Sequence, residues 1–250
     1  MPNEPNGCQR TKRSAPVRVQ PVVLQPYYAD ALTTIYHGDA RTILPQLAAA
    51  DALITDPVWP NCIVKLYGQD DPHAMLAEMF HALPQMPKRA AIHLGCDSDP
   101  RFLTAVPDAL AFFRVCWFKL ARVGYKGRLL MTGDVAYLFG EPPKSRPGAH
   151  VIPGECMDAD GKGKQSDHPC PRKLKHASWL VNWWSEEGET ILDPFMGSGT
   201  TAVAALKHGR RFIGFELNRG YFATARRRVS RLEKDRGAAR PVPAPAQAAL

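Results

Sequence analysis

Short apolar runs alternate with amphipathic stretches from about residue 27 to residue 236, a pattern that builds a largely parallel sheet covered by helices. The apolar runs predict strands at Thr33–Tyr36, Ala52–Thr55, Ala91–Leu94, Phe112–Phe118, Thr190–Leu192 and Arg211–Phe215. Helical spacing predicts Ala40–Leu47, Asp71–Ala82, a helix near Arg101–Leu110, Lys173–Trp184 and Thr200–His208, the last stopped by Gly209. A final helix follows Glu216, with Phe222, Ala225, Val229 and Leu232 in one stripe. Met75, Met79 and Leu83 share a helical face and read as core filler. Arg128–Met131 and Val135–Phe139 read as an antiparallel pair turning at Thr132-Gly133-Asp134.

Three stretches fall outside this alternation. Residues 1–26 are polar, basic and proline-punctuated, and read as a flexible arm; residues 237–250 form a Pro/Ala tail expected to be disordered. Glu141–Asp167 is rich in Gly, Pro and charge and reads as an exposed insert within a domain spanning 27–236.

Composition narrows the class. At 250 residues, 45% hydrophobic and 22% charged, the chain suits one large α/β domain and excludes wholesale disorder. No run approaches the roughly 20 apolar residues of a membrane span, and the first residues lack a signal-peptide core, so a soluble cytoplasmic protein is expected. The six cysteines form no CxxC pair, and Cys170 beside His168 supplies two of the four ligands structural zinc needs, so no metal is expected. A net charge of +8 favours an acidic partner, nucleic acid first; a basic surface that binds nothing is the plainer alternative.

Two motifs carry chemistry. Asp193-Pro194-Phe195-Met196-Gly197-Ser198-Gly199-Thr200 turns a strand through glycines into a helix, where free backbone N–H groups and the positive helix end can hold an anionic or polar ligand. Glu216, at the next strand tip, suits ribose hydroxyls. A P-loop is excluded because Thr200 stands where its lysine belongs, and the third glycine of a dinucleotide site is missing. A tight turn serving packing alone is the other reading. The second motif, Asp56-Pro57-Val58-Trp59, closes an apolar strand. Its Asp56 carboxylate and Pro57 carbonyl can accept hydrogen bonds from a planar amine, while Trp59 stacks on the heterocycle bearing it.

Taken in order along about Ile35–Arg228, these motifs resemble the amino-group DNA methyltransferases that use S-adenosylmethionine, in the class whose catalytic Asp/Ser-Pro-Pro-aromatic motif precedes the Phe-x-Gly-x-Gly cofactor motif. The resemblance includes Tyr36-His37-Gly38-Asp39-Ala40, Asp167-His168-Pro169 and Phe212-Ile213-Gly214-Phe215-Glu216-Leu217-Asn218. It implies a Rossmann-like methyltransferase fold, a mostly parallel sheet with an antiparallel hairpin at one edge and helices on both faces. It also implies that Asp193, Phe195, Gly197, Ser198, Gly199 and Thr200 hold the methionine part of S-adenosylmethionine. Glu216, with Leu217 and Asn218, would take the ribose. Asp39 and Ala40 would reach the cofactor from the opposite lip, Asp56 from the catalytic side, and His168-Pro169 would line the same pocket. The departures are Val58 for the family's second proline and Cys170-Pro171-Arg172-Lys173 where Thr-Gln-Lys-Pro is usual.

By this resemblance Asp56, Pro57, Val58 and Trp59 form the catalytic site, acting on a base flipped out of double-stranded DNA and leaving S-adenosylhomocysteine as product. The leading Asp favours adenine over cytosine. Lys144, Arg146, Lys162 and Lys164 of the insert are candidate DNA contacts, with a solvated loop as the alternative. A homodimer is expected because the insert is short for a complete recognition module. RNA methylation on the same fold, N4-cytosine methylation and a catalytically degenerate nucleic-acid-binding relative are the competing readings.

Overall fold

A computed structural model describes residues 28–29, 32–62, 66, 70–95, 98–126, 128–145, 147 and 172–235. The arm, the tail, most of the insert, and with them Arg146, Lys162, Lys164, His168 and Pro169, lie outside the described residues. Eight strands form one sheet: β1 (Tyr28–Ala29), β2 (Thr33–His37), β3 (Ala52–Thr55), β4 (Arg89–Gly95), β5 (Phe112–Lys126), β6 (Leu129–Gly140), β7 (Thr190–Asp193) and β8 (Arg211–Glu216). Their order is β1-β2-β8-β7-β3-β4-β6-β5. The five central strands, β2 to β4, run parallel, while β1 at one edge and the β6/β5 ribbon at the other are antiparallel.

Alternation along the strands sends side chains to two cores. Ile35, Ile54 and Ala91 face a cluster completed by α3 (Leu174–Trp183), α4 (Thr200–Lys207) and α5 (Arg219–Asp235). Their neighbours Tyr36, Leu53, Ala90 and Ile92 face a second cluster under α1 (Ala40–Ile43) and α2 (Pro72–His81). Helices therefore cover both faces, and the central strands are apolar on both sides because neither side meets water. The α5 stripe is seated as its spacing predicts: Phe222, Ala225 and Val229 are buried and Leu232 packs against them.

Two predicted elements change. The pair turning at Gly133 is a single strand, β6, which pairs with β4 on one side and β5 on the other, and the β5/β6 register runs on past Gly133 to Lys126 opposite Leu129. A Cβ on Gly133 would lie 2.3 Å from the Phe118 carbonyl oxygen, so the glycine serves close strand approach, beside an irregularity in β5 between Lys119 and Gly124. The helix near Arg101–Leu110 is only a 3-10 segment, Pro100–Ala105, capped by Asp99 and ended before Pro107. Likewise the first helix continues after Ile43 as a 3-10 turn containing Pro45.

Candidate active site

Parallel strands place their carboxyl ends along one edge of the sheet, and here four of the five ends carry an acid. Reading across the sheet, β2 leads to Asp39, β8 ends in Glu216, β7 ends in Asp193 and β3 leads to Asp56. Asp134 on β6 lies opposite Gly95, the last residue of β4, and continues the row. Such an edge is where open α/β sheets bind ligands. The cavity along it has a volume of about 430 Å³.

Both predicted motifs open into that one cavity. Asp56, Pro57, Val58 and Trp59 line it on one side; Asp193, Phe195, Gly197, Ser198 and Thr200 line another. Asp39 and Ala40 face them with Glu216, Leu217 and Asn218. Among the described residues of the predicted catalytic and cofactor-binding sets, Gly199 alone does not line the cavity. It is the N-cap of α4, at φ +81°, and a Cβ there would sit 2.9 Å from that of Ala225, so its part is to seat α4 against α5. Met75 and Met79 also reach the cavity, so the methionines predicted as filler form part of its wall, although Met79 is fully buried in the core.

The two motifs are bonded to each other. The Thr55 hydroxyl donates to Asp193 Oδ1 at 2.6 Å, which also accepts from the Phe195 backbone N–H at 3.1 Å. Burial pushes the Asp193 carboxyl up to about 7, against the opposing pull of these hydrogen bonds and one from Thr201. Glu216 accepts from the Asn218 N–H at 2.6 Å and from the N–H groups of Gly197 and Leu217; burial raises its carboxyl too. Asp39 differs: it caps α1 and is gripped by the Arg41 side chain, which holds it below the ordinary carboxylate range.

Sequence reasoning missed two arginines. Arg228, on α5, donates to the Ser198 carbonyl at 2.7 Å and to Thr200 Oγ1 at 3.2 Å, clamping the glycine turn to α5. Arg172 donates through Nε and Nη2 to both oxygens of Asp56, at 2.8 and 2.7 Å. Its Nη1 lies 2.9 Å from Asp134 Oδ1, and its guanidinium carbon sits 4.7 Å from the Trp59 ring centre. Burial works against the charged guanidinium, but the two carboxylates outweigh it and raise its pKa. Burial raises the Asp56 carboxyl while Arg172 pulls it down. The signal available in sequence was a basic residue standing where the resembled family has the lysine of Thr-Gln-Lys-Pro.

Residues 142–227 match a family model described as DNA methylase. YubD of Escherichia coli (strain K12) is 28% identical over 164 residues, 63% of this chain and 68% of its own length. The type II methyltransferase M2.DpnII of Streptococcus pneumoniae is 53% identical over 62 residues, 25% of this chain and 23% of its own length. This chain thus spans about a quarter of that relative. Among solved structures, the M1.HpyAVI–SAM complex has a TM-score of 0.62 at 22% identity, covering 79% of this chain and 99% of its own. The cytosine-N4-specific PvuII DNA methyltransferase has a TM-score of 0.62 at 17% identity, covering 81% and 88%. The fold is the Rossmann-like fold of S-adenosylmethionine-dependent methyltransferases.

Proposed function

We propose that this chain, a relative of the N6/N4 DNA methylases, transfers a methyl group from S-adenosylmethionine to the exocyclic amine of a base flipped from double-stranded DNA, adenine before cytosine. What carries the proposal is the shared cavity: an amine-accepting carboxylate on a tryptophan-bearing loop opens beside a glycine turn backed by acids.

The lining suits the cofactor. About 430 Å³ lies in the range of small-molecule sites. Asp56, Asp193 and Glu216 make the wall acidic, which fits a sulfonium cation and ribose hydroxyls, and Phe195 and Leu217 offer apolar contact to a purine. Asp193 to Thr200 would hold the methionine part and Glu216 the ribose. Bound there, the cofactor supplies an electrophilic methyl.

The chain's own residues prepare the nucleophile. An exocyclic amine is weak because its lone pair is delocalised into the ring. Hydrogen bonds accepted by Asp56 and the Pro57 carbonyl favour a pyramidal nitrogen with its lone pair free, and Trp59 stacks the ring so that the nitrogen is aimed. Because that nitrogen is buried in a duplex, the base has to be flipped. The amine loses one proton on methylation, and Asp56 is the acceptor placed to receive it. Lys144, Arg146, Lys162 and Lys164 supply phosphate or base contacts, and a second copy of the chain completes the DNA-binding surface.

Duplex DNA and RNA incubated with methyl-labelled S-adenosylmethionine test this, followed by modified-base sequencing of DNA from cells expressing the chain. Label in DNA as N6-methyladenine at one sequence is expected. N4-methylcytosine would overturn the choice of base, and label in RNA alone the choice of polymer. No transfer to any nucleic acid would leave a degenerate binding protein.

A further inference from the structure

The place meant for the target base is filled by the protein itself. Trp59 is 7% exposed, and the group over its ring is the Arg172 guanidinium, planar and 4.7 Å away. Both Asp56 oxygens are bonded, at 2.7 and 2.8 Å, to N–H groups of the same guanidinium. A flipped adenine or cytosine would make those two contacts: a flat face on Trp59 and N–H donors on Asp56. One site cannot hold both.

We propose that Arg172 is a specificity-determining stand-in for the target base, and that a base enters only by exchanging with it at Asp56. The proposal rests on the methyl-transfer reading. Arg172 need not leave the site to yield, because its third nitrogen is held separately by Asp134 at 2.9 Å. Asp134 in turn has His93 Nε2 3.9 Å behind it, a buried ring kept neutral by burial and by Arg172 itself. The guanidinium thus has a counterion to retreat to while Asp56 is released.

The exchange selects. A base bearing an amine restores the hydrogen bonds that Asp56 gives up. One presenting a carbonyl oxygen, such as thymine, leaves a buried carboxylate facing an acceptor and loses to Arg172. Sites built around such a donor reject analogues lacking it by roughly 10⁴-fold. Arg172 is therefore a positioning residue with two discrete partners, one of which the substrate replaces.

Nitrogen-15 labelling of arginine in the wild-type protein tests this directly. The Nε–H resonance of Arg172, assigned by its loss in Arg172→Lys or, if that variant fails to fold, in Arg172→Gln, is expected to be slowly exchanging in the free protein and with S-adenosylhomocysteine. Adding the duplex that the enzyme methylates should shift the resonance and lower its exchange protection at least tenfold. The same duplex with thymine in place of the target base should leave it unmoved. An unmoved signal with a duplex that is demonstrably methylated would make Arg172 a fixed brace and overturn the exchange, leaving the transferase reading intact. Equal response to both duplexes would overturn the selectivity. Failure to methylate any DNA would remove both readings together.

Discussion

Asp56 and Asp193 sit at adjacent strand ends, yet burial leaves them with different chemistry. Asp56 has Arg172 as a charged partner; Asp193 has only neutral donors, led by Thr55 Oγ1 at 2.6 Å. Its carboxyl accordingly titrates near 7 when folded against 3.8 as a free side chain. Between those values the unfolded chain has lost the proton that the native state still binds, so stability falls as pH rises from about 4 to about 7. At 1.36 kcal/mol per unit the penalty above that window is at most about 4 kcal/mol. Asp193→Asn keeps an oxygen to accept from Thr55 and removes the titration. Thermal unfolding across pH 4–8 should show the variant gaining on the wild type as pH rises, with no gain below pH 4. Asp56→Asn has another signature: one carboxylate oxygen becomes an NH2 donor facing the amine, and the proton sink is lost with it. Methyl transfer should drop roughly 10²–10³-fold, as for a lost transition-state hydrogen bond. Cofactor affinity by calorimetry should fall far less than turnover, and an unchanged turnover would remove Asp56 from the chemistry.

At the scale of elements, the strand–turn–helix from β7 to α4 was legible because its parts agree: an apolar strand, two glycines and an alanine-rich helix. Ala52–Thr55 was legible to the residue for the same reason, an apolar run closed by Asp-Pro. The β5/β6 ribbon was not. Thr132-Gly133-Asp134 has turn chemistry, and only the Phe118 carbonyl on the neighbouring strand explains why glycine is needed there. Local propensity lost to a tertiary contact. The same contact logic gives a prediction at Gly199, where a left-handed backbone meets α5. Alanine there costs about 1–2 kcal/mol for the left-handed conformation. Its Cβ would also lie 2.9 Å from the Ala225 Cβ, so the total should exceed that figure. Urea unfolding of Gly199→Ala should show the loss, and cofactor affinity should weaken with it, because Arg228 ties α5 to the same turn. An unchanged midpoint would mean that the turn is not seated by this packing.

Across the whole molecule, the row of acids on the sheet edge was legible one motif at a time, but the Asp56–Arg172–Asp134 triad was not, since its members lie 116 and 38 positions apart with no shared pattern. A chain with an acidic cleft still carries a net charge of +8, so the positive charge must lie elsewhere on its surface. Of the four insert residues proposed as DNA contacts, Lys144 is exposed, and its backbone N–H donates to Glu186 beside Arg89, at the amino end of β4 and so at the opposite end of the parallel strands from the cleft. Phosphate contacts by lysine release counterions, each contributing about 0.9 to the slope of log affinity against log salt. Replacing Lys162 and Lys164 by alanine should therefore reduce that slope by about 1.8 if both touch phosphate. Affinity should fall alike on methylated and unrelated duplexes, because phosphate contacts carry no sequence information. A variant that keeps the slope but loses preference for its own site would instead make these lysines readers of base edges. One that keeps both would move the DNA surface off the insert, toward the exposed arginines of α5, Arg226, Arg227 and Arg231.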